Sequence, residues 1–328
     1  MAALTAVQFD DLDRRLSALG VTGIRPLPGG ASSVTLRGVH DGRPVVVKVA
    51  PPGVAPILHR DVLRQARMIA DLGTSRVPVP RILFEDNGSP PLFVMSFLDG
   101  ESAEPLFDRT PSPAAPEVMA DRLRDAAAVL ARLHTLAPGS VGLDAEPVGS
   151  PADEVERWCR ALETIDPALV AGWVDVGHAL RASVPQAMPP SVLHGDFRLG
   201  NLLAVDRSIT AVIDWEIWSI GDPRVDLGWF LINADPATYG RDTPYAGTTP
   251  APAELLDIYA RTIGHPVPQL NWFQALACFK STATWGLIIK HNRRRHTPDR
   301  DIEAMAPVLP SLLARSTEFL ATTSTTGC

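Results

Sequence analysis

Apolar residues recur along this chain at two spacings. Phe9 to Leu19 carries them at the interval of an amphipathic helix. The stretch GIRPLPGGASSVTLRGVHDGRPVVVKVAP then predicts two short strands around Gly29-Gly30, a turn at Asp41-Gly42, and a strand over Val45 to Val49. Helical spacing returns over Leu58 to Leu72 and stops at Gly73. VPVPRILFED and PLFVMSFL predict two further strands. Residues 1–97 therefore read as an antiparallel sheet with one helix, and Met95 to Gly100 as the link to a second lobe at 98–328. From Pro116 onward helical patterns dominate, first in EVMADRLRDAAAVLARLHTL and then in SPADEVERWCRALETI, where Ser150 is placed as an N-cap. Short strands interrupt them at SVLHGD, NLLAV and TAVIDWE. The expected class is α+β.

Composition narrows the function. The chain has 328 residues, 45% hydrophobic and 20% charged, which is ordinary for a globular protein. A formal net charge of -7 argues against nucleic acid as a partner. Cys159, Cys278 and Cys328 form no CxxC pair, so a reduced, cytoplasmic protein is expected. The N-terminus lacks a basic region followed by an apolar core, and no apolar run is long enough to span a bilayer. No membrane partner is expected, and nothing in the sequence sets the oligomeric state.

The strongest chemical signal is HGDFRLGNLL, His194 to Leu203, followed by VIDWE, Val212 to Glu216. Phosphoryl transfer needs positioning, metal ions on the phosphates, and a carboxylate that orients and deprotonates the acceptor hydroxyl. Asp196 follows a short apolar run and starts a loop, which suits that carboxylate. Asn201 offers an amide oxygen to a metal, and Asp214, ending the run AVI, offers a carboxylate. Mg²⁺ prefers such hard oxygen ligands. A hairpin turning at Asp206-Arg207-Ser208 brings Asn201 and Asp214 to one end. In VVVKV, Lys48 sits inside an apolar strand, where an isolated ammonium is costly.

HGDFRLGN, then IDWE, then IGDPRVDLGW resembles the aminoglycoside phosphotransferase-like family. The resemblance runs from about Gly23 to Leu231 and implies a bilobal protein-kinase-like fold: a small antiparallel-sheet N-lobe and a larger, mostly helical C-lobe. It implies ATP or GTP as co-substrate, Mg²⁺, and a small-molecule hydroxyl as acceptor. It makes Asp196 the catalytic base and Asn201 and Asp214 the metal ligands. Lys48 would contact the α- and β-phosphates under a loop that includes Gly29, Gly30, Ser32 and Ser33. Phe93 to Phe97, with Met95, would form a hinge whose backbone pairs with the purine. His194 would buttress the loop, and Asp222 and Asp226 would anchor the helices.

One position departs from the kinase pattern. Where a glutamate usually pairs with the strand lysine, this chain has Gln65. Asp61, one turn earlier, is expected to balance Lys48 in its place, or else a phosphate oxygen does.

The acceptor is less constrained. Acidic residues from Asp144 to Asp175 would suit a cationic acceptor if some line the cleft, and a solvated helix face is the simpler account of them. VERW, Val155 to Trp158, together with HGDFRLGN and IDWE, resembles the kinase-like domains fused to acyl-CoA dehydrogenases and their freestanding bacterial relatives. That resemblance implies a hydroxyacyl-CoA acceptor, with Arg293, Arg294 and Arg295 meeting its phosphates; a helix end with cations on its dipole is the alternative. The tryptophans, all placed in the second lobe, would otherwise wall a sugar, nucleoside or choline-like group. A reading of another class is a nucleotide-binding pseudoenzyme with a regulatory role, which Gln65 favours and the intact Asp196, Asn201 and Asp214 oppose. A protein kinase fits poorly, because GDPRVDL follows IDWE with no room for an activation segment.

Overall fold

The computed structural model describes residues 6–27, 33–51, 53, 57, 60–105, 114–240 and 243–323. By backbone contacts the chain divides into two compact units. The first joins Met1–Ser102 with Asn201–Trp218, and the second joins Ala103–Gly200 with Ser219–Cys328.

The first unit is built on an antiparallel sheet. Helix α1 (Ala6–Ala18) leads into β1 (Val21–Pro26), β2 (Val34–His40) and β3 (Arg43–Val49). Asp41 and Gly42 turn the β2–β3 hairpin, both at positive φ (47° and 72°), which gives the two-residue turn that matches strand twist. Helix α2 (Val62–Leu72), β4 (Ile82–Asp86) and β5 (Leu92–Ser96) follow, and the sheet order is β1-β2-β3-β5-β4. The helix predicted from Leu58 begins only at Val62, because Asp61 caps it by accepting from the amides of Leu63 and Arg64.

Alternation along β3 sends Val45, Val47 and Val49 into one core with Leu12 and Leu16 of α1 and with Leu92 and Val94 of β5. Val46 and Lys48 therefore belong to the opposite face, in register with Met95 and Phe93. The unit is completed by the hairpin β7 (Leu202–Val205) and β8 (Ser208–Val212). That hairpin bonds to the first segment through Glu101–Ala204 backbone pairs and through the Val212 amide on the Pro78 carbonyl. Trp215 and Trp218 consequently fall in this unit rather than among the helices.

The second unit is mostly helical: α3 (Pro116–His134), α4 (Pro151–Leu162), α5 (Trp173–Ala182), α6 (Arg224–Ala234), α7 (Pro252–Ile263), α8 (Leu270–Asn292), α9 (Arg300–Glu303) and α10 (Leu309–Thr323). Ser150 caps α4 in a capping box with Asp153. Helix α8 packs against α4, α5, α6 and α10. It is apolar nearly all round, as a helix surrounded by others must be. Two three-residue strands, β6 (Ser191–Leu193) and β9 (Ser219–Gly221), pair beside α3.

Candidate active site

In the first unit the hairpin register sets the geometry. Leu202 faces Val212, and the Ile213 amide donates to the Asn201 carbonyl at 2.9 Å. Asn201 and Asp214 therefore lie at the same end of the hairpin, as the spacing predicts. Asp214 adopts a left-handed backbone (φ 66°, ψ 54°), which costs a non-glycine residue about 1–3 kcal/mol unless its surroundings hold it. The residue after it fixes that turn: Trp215 is fully buried, and its indole N–H donates to the Val212 carbonyl at 3.0 Å. Helix α2 holds the same segment further on. Arg64 stacks 3.6 Å from the Trp218 ring centre and donates to its carbonyl at 3.2 Å.

Lys48, 8% exposed, reaches Asp214, and its Nζ donates to Oδ1 at 2.7 Å. This pairing answers how a charge survives inside the strand. It also corrects the expectation for Asp61. That carboxylate caps α2 and lies 3.7 Å from Arg67, so its charge is spent on the helix N-terminus and not on Lys48. Gln65 is buried on the inner side of α2, along with Ala66, Ile69 and Leu72. Ser33 is also buried, and its hydroxyl has no hydrogen-bond partner among the described residues. Gly29, Gly30 and Ser32 lie outside the described residues.

The expected hinge is a different matter. Met95 is bonded into the sheet on both sides, opposite Val46 and Ile82. The Phe97 amide donates to the Pro44 carbonyl at 3.3 Å, and the Ser96 amide to the Arg81 carbonyl at 2.9 Å. The Phe97 ring lies under the Arg37 guanidinium at 4.5 Å. The amide donors of Ser96 and Phe97 are thus engaged within the sheet rather than presented to a ligand.

In the second unit β6 delivers His194, Gly195 and Asp196. Asp226 of α6, fully buried, accepts from the His194 amide at 2.6 Å and from the Gly195 amide at 2.9 Å. Burial alone would raise its pKa. His134, His194 and Lys280 outweigh that effect and hold it below the usual carboxylate value. His194 is fully buried, and its Nδ1 accepts from the Asp196 amide at 3.2 Å. Asp222 forms a buried pair with Arg224 at 2.7 Å, while Arg224 also donates to the Gln186 and Pro268 carbonyls. These contacts tie the loop's base to α6 and its surroundings.

The Asp196 carboxylate accepts from the Trp229 indole at 2.8 Å and from Arg198 Nε at 3.3 Å. Arg198 in turn donates to Glu104 at 2.5 Å. Burial raises the Glu104 pKa above the ordinary glutamate value even against that guanidinium. Lys280 of α8 donates to the Gly195 carbonyl at 2.5 Å. Trp229, Glu104 and Lys280 were not singled out from sequence. Lys280 had a visible signal: it is a lone charge in the apolar run ALACFKSTATW.

The chain matches the description of the phosphotransferase enzyme family over residues 23–268. It belongs to that family. Among curated relatives, the match to acyl-CoA dehydrogenase family member 10 of Mus musculus is 25% identical and covers 74% of this chain but 24% of that protein. The match to family member 11 of Homo sapiens is 28% identical and covers 72% and 32%. The chain thus spans about a quarter to a third of their length. Among solved structures, macrolide 2'-phosphotransferase MphH from Brachybacterium faecium superposes with a TM-score of 0.63 at 22% identity, covering 92% of this chain and 98% of that one. An aminoglycoside phosphotransferase APH(4)-Ia in ternary complex with ADP and hygromycin B gives 0.61 at 14%, covering 93% and 98%. The fold is the kinase-like phosphotransferase fold.

The donor set of this phosphotransferase-family chain suits a hard divalent cation. Register brings the residues that carry an amide and a carboxylate, Asn201 and Asp214, to one end of the hairpin, and no cluster of three or more His, Cys, Asp or Glu forms a closed cage among the described residues. Mg²⁺ sites of that kind are completed by phosphate oxygens and water.

Proposed function

We propose that this protein transfers the γ-phosphoryl group of ATP or GTP to a hydroxyl of a small molecule. The observation that carries the reading is the buried Lys48 paired at 2.7 Å with Asp214, a carboxylate in a left-handed turn beside Asn201. An ammonium and a metal-binding carboxylate side by side suit a polyphosphate. Asn201 and Asp214 would hold Mg²⁺, which offsets charge on the phosphates when bound. Lys48 exchanges one Asp214 oxygen for phosphate oxygens, and the buried Ser33 hydroxyl supplies a further donor. Asp196 orients the acceptor hydroxyl and takes its proton. Trp229 and Arg198, bonded to its carboxylate, fix its direction.

Calorimetry with ATP and with GTP, each with and without Mg²⁺, tests this assignment. Wild-type protein should bind nucleotide in a Mg²⁺-dependent way, and Asp214→Ala should lose that dependence. Equal Mg²⁺-dependent affinity in the variant would contradict the ligand role.

For the acceptor, Asp153, Glu154, Glu156 and Asp166 are taken up by a helix cap, by Trp158 and Arg157, by Arg181, and by a turn amide and Arg293. This weakens the case for a polycationic substrate. A hydroxyacyl-CoA acceptor is favoured by a specific observation: Arg294 and Arg295 are exposed at the end of α8, while Arg293 pairs with Glu303. The acyl-CoA dehydrogenase names of the curated relatives point the same way. The pseudoenzyme reading finds no support in the Asp196 surroundings, where the carboxylate is held by two donors.

A further inference from the structure

Lys280 has no place in the chemistry above, yet it is a buried cation beside the loop that carries Asp196. It projects from the middle of α8, is 7% exposed, and donates from Nζ to the Gly195 carbonyl at 2.5 Å. Its ammonium lies 4.1 Å from the centre of the Trp229 ring and 5.7 Å from that of Trp158. The Trp229 indole is therefore engaged twice. Its face carries the Lys280 charge, and its N–H donates to Asp196 Oδ1 at 2.8 Å. A cation over an indole face polarises the ring and strengthens its N–H as a donor. The carbonyl that Lys280 grips belongs to the peptide leading into Asp196, and Gly195 adopts a φ of 87°. That conformation suits glycine, and the peptide is held at both ends, its N–H by His194 Nδ1 and its carbonyl by Lys280.

We propose that Lys280 is a positioning residue for Asp196: it fixes the Gly195–Asp196 peptide through the carbonyl and fixes the carboxylate through Trp229. The proposal rests on Asp196 being the base. Merely filling space would need no charge here, and an apolar side chain of similar length would do it at lower desolvation cost. The surroundings also keep the charge in use. Asp196 on the loop, Asp226 on α6 and Glu154 on α4 favour the ammonium, and Arg157 on α4 opposes it. Burial is the largest influence and lowers the Lys280 pKa from the ordinary lysine value. The positioning charge is thus lost, as pH rises, earlier than an exposed lysine would lose it.

The test compares wild type, Lys280→Met and Trp229→Phe in steady-state turnover of Mg·ATP with water as acceptor. A second readout uses ¹⁵N-tryptophan-labelled protein without nucleotide. Lys280→Met should lower kcat by roughly 10- to 100-fold while leaving the KM for ATP within about twofold. The wild-type kcat should fall on an alkaline limb that is absent from the residual activity of Lys280→Met. The Trp229 indole N–H resonance, assigned through its loss in Trp229→Phe, should move in Lys280→Met. Lys280→Gln serves the same readouts if the methionine variant does not fold. A kcat within twofold of wild type with the alkaline limb retained overturns the proposal, even if the resonance moves, because contact alone is not positioning. An unmoved resonance also overturns it. If wild-type protein turns over neither water nor any hydroxyl acceptor, the phosphotransferase reading fails by itself and takes the positioning role with it, whereas an unmoved resonance in an active protein overturns the Lys280 proposal alone.

Discussion

Asp226 braces the loop that leads into Asp196. Its two oxygens accept two consecutive amides, those of His194 and Gly195, and His134 Nε2 lies 3.6 Å away. Replacement by asparagine removes the charge that these groups and Lys280 face and leaves one amide with an N–H opposite it. Asp226→Asn should cost about 3 kcal/mol in urea unfolding. The pH dependence has a definite sign. Asp226 is held below its unfolded pKa, so its contribution is complete above the unfolded carboxylate value and is lost as pH falls through the folded one. Wild-type stability should therefore drop more steeply under acid than that of the variant. Parallel slopes would show that the charge contributes nothing. At this scale the sequence was informative for the placement of Asn201 and Asp214 at one end of a hairpin and of Lys48 inside an apolar strand. It was silent on the partner of Lys48. Asp61 and Asp214 are both plausible anions by composition, and only the capping geometry of α2 and the turn at Asp214 separate them.

Between elements, the contact of α6 with α8 places both Trp229 and Lys280. It depends on Gly228, because a Cβ there would meet the Phe273 carbonyl oxygen at 2.6 Å, a backbone atom that cannot step aside. Gly228→Ala should separate the helices and destabilise the protein by about 2 kcal/mol, seen as a lower urea midpoint at unchanged m-value. A midpoint equal to that of wild type would mean the helices tolerate the shift. Strand and helix positions were largely legible, because alternation in VVVKV and helical spacing in α3 and α4 are strong periodic signals. Two features were not. The three-residue β9 is too short to carry a period, and it forms only because Ser191 to Leu193 offers it a partner. At the expected hinge, the Pro44 and Arg81 carbonyls take the amide donors of Phe97 and Ser96. Such local competition leaves no trace in residue type.

For the molecule as a whole, the family and the kinase-like fold agree with the motif order, and the excursion of Asn201–Trp218 into the first unit shows how the motifs are distributed. The unit that holds Lys48 also holds Asn201 and Asp214, while Asp196 belongs to the helical unit. A division by sequence position alone could not reveal this, because the β7–β8 hairpin is sorted by its backbone bonds to Glu101 and Pro78. Among the described residues no helix is long and apolar enough to cross a membrane. The central claim is phosphoryl transfer with Asp196 as base. It is tested most directly by following label from γ-³²P-ATP and γ-³²P-GTP, with Mg²⁺, into a panel of hydroxyacyl-CoAs, macrolides, aminoglycosides, choline, homoserine and nucleosides. Wild type and Asp196→Ala would be run side by side. Label should appear in at least one acceptor with wild type and fall by several orders of magnitude in Asp196→Ala, with nucleotide affinity retained. Equal transfer by the two proteins, or none by wild type despite tight Mg²⁺-dependent nucleotide binding, would contradict it.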